Sequence, residues 1–305
     1  MHIEGAADHS AVGDSYEGIL SGWGKDEGVA PLQTMRERYN VMPDGFCFGT
    51  LARACSEAGD GHLAEELIVE LKRRSEGRHA TWSPNMVDCA QLTQACSRAS
   101  PPLPHLAVSL FYWLLLLYPH SARSSHPQQS QQQTSLLVSL LDACREDPSL
   151  SLQMVDKLLH LGVAIDTKTM GAVLKACCKG GDVGKAFRLL LDTTEDNTST
   201  FKNAMIGPVD AQCYAIVINA LLDAGDHDSA RILGDTLAKL FTSIGGKDDD
   251  VVAFGTLLRV LCLTGDRERA MSLFFSRLQE NKKVDSRCCH ILLNACAEQG
   301  DLTMR

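Results

Sequence analysis

From Val251 the chain reads VVAFGTLLRVLCLTGDRERAMSLFFSRLQENKKVD, and from Ser286 it continues SRCCHILLNACAEQGD. Apolar residues recur at three- and four-residue spacing, as at Phe254, Leu257, Leu258 and Leu261, which predicts an amphipathic helix. A Gly-Asp pair, Gly265-Asp266, interrupts the pattern, and a second helical periodicity follows through Leu273, Phe274 and Leu278. Shifted by 35 residues, the two stretches agree at Leu257 and Leu292, Leu258 and Leu293, Gly265 and Gly300, and Asp266 and Asp301. A self-match at a fixed period of this size is the signature of stacked helical repeats.

With the Val251 unit as ruler, matching units begin at Gly45, Met86, Thr134, Thr167, Ala211 and Ser286. Their tenth residues are Ala54, Ala95, Ala143, Ala176, Ala220, Val260 and Ala295, and their eleventh are Cys55, Cys96, Cys144, Cys177, Leu221, Leu261 and Cys296. The cysteines therefore follow the repeat, and they are expected to be small buried apolar groups between helices. Gly-Asp recurs at Gly59-Asp60, Gly181-Asp182, Gly225-Asp226, Gly265-Asp266 and Gly300-Asp301. The glycine suits the left-handed residue that ends a helix, and the aspartate suits the N-cap of the next. A small residue follows in phase, at Ala64, Ala186, Ala230 and Ala270, where two helices can approach closely.

The expectation is an all-α chain of stacked antiparallel helix pairs, with about six units and a truncated last unit over residues 45–305. Residues 1–44 read as a flexible N-terminus that includes a degenerate repeat over 11–44. The polar, Gln-rich stretch 119–133 reads as a disordered insert. A second polar insert, Thr193 to Val209, is expected to hold a short helical turn near Phe201 to Met205. In the Met86 unit the run PPLP, Pro101 to Pro104, replaces Gly-Asp and is expected to start the second helix.

Composition narrows the chemistry. The formal charge of -9 argues against a generic nucleic-acid coat, which would need an excess of Lys and Arg. The longest apolar run, Leu106 to Tyr118, is too short to span a bilayer, so no membrane partner is expected. The start of the chain has neither a secretory signal pattern nor the Arg-rich character of a transit peptide. Twelve cysteines contain no CxxC, and the doublets Cys177-Cys178 and Cys288-Cys289 do not fit zinc spacing. No phosphate-binding loop, dinucleotide fingerprint, HExxH or nucleophile elbow is present, so neither enzyme activity nor a cofactor is expected. The acidic run Asp248 to Asp250 reads as a solvated turn.

The 35-residue unit Val251 to Asp285, its helix-Gly-Asp-helix layout with Ala270, and the unit ends Met42-Pro43-Asp44, Ser83-Pro84-Asn85, Pro208-Val209-Asp210 and Val284-Asp285 carry a family signal. On these residues the chain resembles the pentatricopeptide repeat family, over about Gly45 to Asp301. The rival tetratricopeptide pattern wants Gly at the eighth residue, where this chain has Leu174, Ile218, Leu258 or Leu293. The resemblance implies a right-handed superhelical α-solenoid that binds single-stranded RNA, in a mitochondrion or plastid, acting in transcript processing, stability or translation. It implies that the fifth residue of each first helix and the last residue of each unit face the bases. The fifth places are Gly49, Ala90, Val138, Gly171, Ala215, Gly255 and His290, and the last places are Asn85, Gln133, Asp166, Asp210, Asp250 and Asp285. Six of the seven fifth-place residues lack a hydrogen-bonding side chain, so weak binding of low sequence specificity is expected. The thirteenth place, often Lys in the family, is Glu57, Arg98, Glu146, Lys179, Asp223, Leu263 and Glu298. The terminal Asp and Asn residues also suit plain helix caps, and a scaffold that binds protein partners is the alternative reading.

Overall fold

The computed structural model describes residues 44–75, 85–117, 127–194, 205–206, 209–242 and 250–297, together with residue 37. These residues form thirteen helices. They are α1 (Gly45–Ala58), α2 (Gly61–Ser75), α3 (Met86–Arg98), α4 (Pro104–Leu117), α5 (Pro127–Ala143), α6 (Pro148–His160), α7 (Thr167–Lys179), α8 (Val183–Thr194), α9 (Ala211–Asp223), α10 (His227–Thr242), α11 (Val251–Leu263), α12 (Arg267–Gln279) and α13 (Ser286–Ala297). The all-α expectation holds, with one small addition. Strand β1 (Ile165–Asp166) pairs in parallel with β2 (Met205–Ile206), so Met205 lies in a strand where a helical turn was expected. The rest of that expected turn, and most of the N-terminal 1–44 region, lie outside the described residues.

Contacts divide the chain into Met1–Ser121 with Ser125–Glu146, and Ala122–Ser124 with Asp147–Arg305. The first unit holds α1 to α5 and the second α6 to α13. Within each, first helices pack on first helices: α1 on α3 and α3 on α5, then α7 on α9, α9 on α11 and α11 on α13. The second helices α2, α4, α8, α10 and α12 each pack between their own first helix and the next one.

The short turns explain why the pairs fold back on themselves. Gly59, Gly181, Gly225 and Gly265 have φ of 66°, 83°, 80° and 86°, the left-handed region that a side chain disfavours. The amide of the following aspartate returns to the carbonyl of the eleventh residue. These bonds are Asp60 to Cys55 (3.3 Å), Asp182 to Cys177 (3.0 Å), Asp226 to Leu221 (2.9 Å) and Asp266 to Leu261 (2.8 Å). Where PPLP replaces Gly-Asp, Leu103 donates to the carbonyl of Cys96 at 3.0 Å, so the same eleventh carbonyl closes a different turn.

The aspartates then start the second helices. Asp60, Asp182 and Asp226 accept from the amides of Leu63, Lys185 and Ser229 at 3.0, 2.9 and 3.1 Å. Asp266 departs from the pattern, because its side chain makes no cap bond and lies 3.7 Å from the Arg269 guanidinium instead. The in-phase Ala64, Ala186, Ala230 and Ala270 are fully buried, as the close helix approach requires.

One other expectation is corrected. Helix α5 begins at Pro127, so residues 127–133 are helical where a disordered insert was expected, and Gln133 is buried in that helix. Gln is a good helix former and Pro fits the first helical position, which is why a Gln-rich segment can extend the helix. Residues 118–126 lie outside the described residues. Leu293 is exposed, although its equivalent Leu258 is buried. Helix α11 is packed by α9, α10, α12 and α13, whereas among the described residues α13 packs chiefly on α11 and α12.

Candidate functional site

The unit ends can be read directly. Asp44, Asn85, Asp166, Asp210, Asp250 and Asp285 each precede a first helix and accept from backbone amides in its first turn. Asp44 accepts from Cys47 at 3.0 Å, Asn85 from Asp88 at 2.7 Å and Asp166 from Thr169 at 2.8 Å. Asp210 and Asp285 accept from Cys213 and Cys288 at 2.9 and 3.0 Å. Asp250 accepts from both Val252 (2.9 Å) and Ala253 (3.0 Å). The amide of Cys288 holds the Asp285 carboxyl below the usual carboxylate range. Every one of these residues is an N-cap, so a side-chain oxygen is committed to the fold. Gln133 is not among them, because α5 runs through it. Asp248 and Asp249 lie outside the described residues.

The fifth places fall on a seam between successive first helices. A Cβ built on Gly49 would lie 2.9 Å from Asp88 Oδ1, on Gly171 4.0 Å from Cys213 Sγ, and on Gly255 3.7 Å from Cys288 Sγ. In each case the fifth residue of one unit faces the third residue of the next. Ala90, Ala215 and Gly255 are buried, Gly49, Val138 and Gly171 are half-buried, and His290 is exposed. Fifth-place side chains this small bring the helices together and leave little to project.

The third residues Cys47, Asp88, Leu136, Thr169, Cys213, Ala253 and Cys288 are all buried. Asp88 is the exception in kind. Burial pushes its carboxyl up to about 6, even though the Asn85 side chain pulls the other way. Its Oδ2 has no hydrogen-bond partner among the described residues. The eleventh-place thiols of Cys55, Cys96 and Cys177 are also pushed up to about 12, chiefly by burial, so they are packing groups and not thiolate nucleophiles. Among the described residues no group of three or more His, Cys, Asp or Glu is placed to hold a metal ion. None of the described helices is long and apolar enough to cross a membrane.

Polar residues of the first helices connect one repeat to the next. Ser56 donates to Gln94 Oε1 at 2.8 Å, and Arg98 reaches the Ser56 carbonyl at 2.9 Å. In the second unit Asn219 donates to Thr256 at 3.1 Å, while Arg259 donates to Asn219 and Asp223, both at 3.2 Å. The second helices are linked similarly, through Lys72 and Ser109, Lys185 and Asp156, and Arg269 and Asp235. These links were not visible in the sequence, because each joins residues about a repeat apart.

Comparison with known proteins agrees with the repeat frame. The family model described as the PPR repeat matches residues 46–75 and 168–197, which are α1 with α2 and α7 with α8. A pentatricopeptide repeat-containing protein of Arabidopsis thaliana, named as mitochondrial, is 24% identical over 181 residues, or 59% of this chain and 34% of its own length. The crystal structure of the pentatricopeptide repeat protein PPR10 from maize is 14% identical, with a TM-score of 0.45, and covers 98% of this chain and 45% of its own. PPR10 in complex with an 18-nt psaJ RNA element matches with a TM-score of 0.39 at 14% identity, over 97% of this chain and 46% of that one. This chain thus spans about a third of the length of the plant relative and a little under half of the maize protein. The family match falls on one helix pair in each unit, where the glycine turns, unit-end caps and small-residue seams follow the same frame, so the chain carries pentatricopeptide repeats at residues 46–75 and 168–197 and is similar to pentatricopeptide repeat proteins.

Proposed function

We propose that this chain binds single-stranded RNA in a mitochondrion or plastid, as a non-catalytic part of transcript processing, stability or translation. The observation that carries the reading is the family match to a helix pair in each of the two units. The mitochondrial name of the plant relative agrees with it. On this reading Gly49, Ala90, Gly171, Ala215, Gly255 and His290 line the path of the strand, with Asn85, Asp166, Asp210, Asp250 and Asp285 at the unit ends. Their packing and capping duties favour contact with the RNA backbone over discrimination among bases.

The test is direct titration of the purified chain with a random pool of single-stranded RNA at near-physiological salt. Saturable binding that weakens as salt rises is expected. Binding no stronger than that of an unrelated protein of equal charge would remove the proposal. A protein-binding scaffold is the second reading, favoured by exposed apolar residues such as Phe46, Val87 and Val252 at second places of first helices. A stable protein partner recovered with the chain, together with no RNA binding, would select it.

A further inference from the structure

The second helix α4 is built differently from its counterparts. Its sequence, PHLAVSLFYWLLLL, contains no Lys, Arg, Asp or Glu. Each of the other second helices exposes at least one charged side chain: Arg73 on α2, Asp156 on α6, Arg188 on α8, Arg231 on α10 and Arg269 on α12. A helix that is apolar all round belongs in a setting that covers every side of it. Here Ala107, Leu110, Phe111 and Leu114 form the buried side, whereas Tyr112, Leu116 and Leu117 are 41%, 81% and 40% exposed. Leu116 is the most exposed large apolar side chain among the described residues.

The start of α4 has the opposite relief. A hollow of about 430 Å³ opens there, lined by Glu65 of α2 and, from the α4 side, by residues that include Pro102, Leu103, His105, Leu106 and Ser109. At 100° per residue His105, Ser109, Tyr112 and Leu116 lie within about 60° of one another, so the hollow and the protruding leucine share one face. At 1.5 Å per residue His105 and Leu116 stand about 16 Å apart along the axis. Lys72 of α2 donates to Ser109 at 3.2 Å, which ties the neighbouring helix to that face.

We propose that this face of α4 is a self-association surface, on which two copies of the chain pair through antiparallel α4 helices. A two-fold axis perpendicular to α4 near Leu110 carries Leu116 of each copy to the hollow of the other, because an isologous contact pairs position i with j and j with i. The lack of charge matters as much as the relief. A face that carried a single sign of charge would oppose its own copy, and α4 has none to oppose. A lipid surface fits less well. Interfacial helices carry Lys and Arg, which α4 lacks, and a chain of net charge -9 is repelled by anionic headgroups. Tyr112, Leu116 and Leu117, with half-buried Leu106 and Trp113, leave on the order of 400 Å² of apolar surface uncovered, comparable with the largest patch of a typical monomer. Two such faces bury about 800 Å² between them, half of a standard stable interface, which fits a weak and reversible dimer.

The experiment is sedimentation equilibrium of the full chain from about 1 to about 200 µM, alongside Leu116→Glu and Ile232→Glu. Ile232 is 51% exposed on α10, so the second variant makes the same change of charge on another second helix. Circular dichroism checks that all three remain helical. The unaltered chain is expected to dimerise with a Kd of about 10–100 µM that persists at high salt. Leu116→Glu should weaken the dimer at least about tenfold, since each copy would carry a carboxylate into the hollow of the other, while Ile232→Glu stays within about twofold. A chain that remains monomeric to about 200 µM would overturn the proposal, and so would equal effects of the two variants. A monomeric chain that floats with phosphatidylserine-containing vesicles, and no longer does so with Leu116→Glu, would overturn it in favour of a lipid surface.

Discussion

Each of the two units buries one charged side chain among its described residues, and their surroundings differ sharply. In the first unit Asp88 sits against Gly49 with one carboxylate oxygen unpartnered, and burial raises its pKa to about 6. In the second, Arg277 lies over two aromatic rings, 4.5 Å from the centre of Phe254 and 5.4 Å from that of Phe241, and its Nε donates to the Lys283 carbonyl at 3.0 Å. A cation desolvated against ring faces and a carbonyl retains much of what it loses in leaving water. A carboxylate beside a glycine gains little, and it responds by holding its proton more tightly. Burial of Asp88 therefore makes the seam between α1 and α3 pH-sensitive.

The largest effect should come from the compensated charge. Arg277→Ala removes the ring stacking, the carbonyl bond and the packed stem together, and should lower unfolding free energy by about 3 kcal/mol in urea denaturation. A loss below about 1 kcal/mol would mean that the aromatic sandwich contributes little.

Asp88→Asn should act in the opposite direction and depend on pH. A folded-state pKa near 6, above the ordinary 3.8, means that the folded chain binds more protons than the unfolded chain between about pH 4 and pH 6. Stability therefore falls as pH rises through that window and levels off above it. The asparagine, which cannot ionise, should raise stability by about 1–3 kcal/mol at pH 8 and by little at pH 4. Parallel denaturation curves for the two proteins at both pH values measure this, and a pH-independent difference would remove the buried-carboxylate explanation.

The glycine seams offer a smaller contrast. Gly171→Ala and Gly255→Ala place a methyl at ordinary contact distance from a cysteine sulfur and should each stabilise by about 0.5–1 kcal/mol through helix propensity. Gly49→Ala places it 2.9 Å from Asp88 Oδ1 and should destabilise by about 1 kcal/mol. Thermal melts that rank all three alike would show that Asp88 does not crowd its seam.

The smallest difference concerns the second-helix caps. Asp182→Ala should cost about 1 kcal/mol, because it removes the bond to the Lys185 amide. Asp266→Ala should cost no more than a few tenths, because Asp266 makes no cap bond and its contact with Arg269 is exposed. Equal losses from hydrogen-exchange or melting measurements would contradict the difference in geometry.

What the sequence revealed was local. Left-handed glycines at Gly59, Gly181, Gly225 and Gly265, and caps at Asp44, Asn85, Asp210 and Asp285, depend on a few neighbouring residues, so their chemistry is written at the position itself. The buried cysteines could be placed because they follow the repeat period. The pairing of β1 with β2 joins Ile165 to Met205, and the approach of Gly49 to Asp88 joins successive helices, so neither has a local signature. The first turns of α5, residues 127–133, escaped notice through composition, since a Gln-rich run resembles a linker until its buried Gln133 is seen. The fifth-place residues lie on the first helices, and the burial of Ala90, Ala215 and Gly255 depends on the neighbouring helix, which the sequence does not show locally.

On the proposed reading, the inter-repeat seams of this chain serve packing and leave the grip on RNA to charge. The measurement that bears on it most directly is the affinity of the full chain for oligo(A), oligo(C) and oligo(U) of equal length at one fixed salt concentration. Affinities within about threefold of one another, falling together as salt is raised, are the predicted result. A preference of about a hundredfold or more for one of the three, maintained at high salt, would show that the seams read bases after all and would contradict the claim.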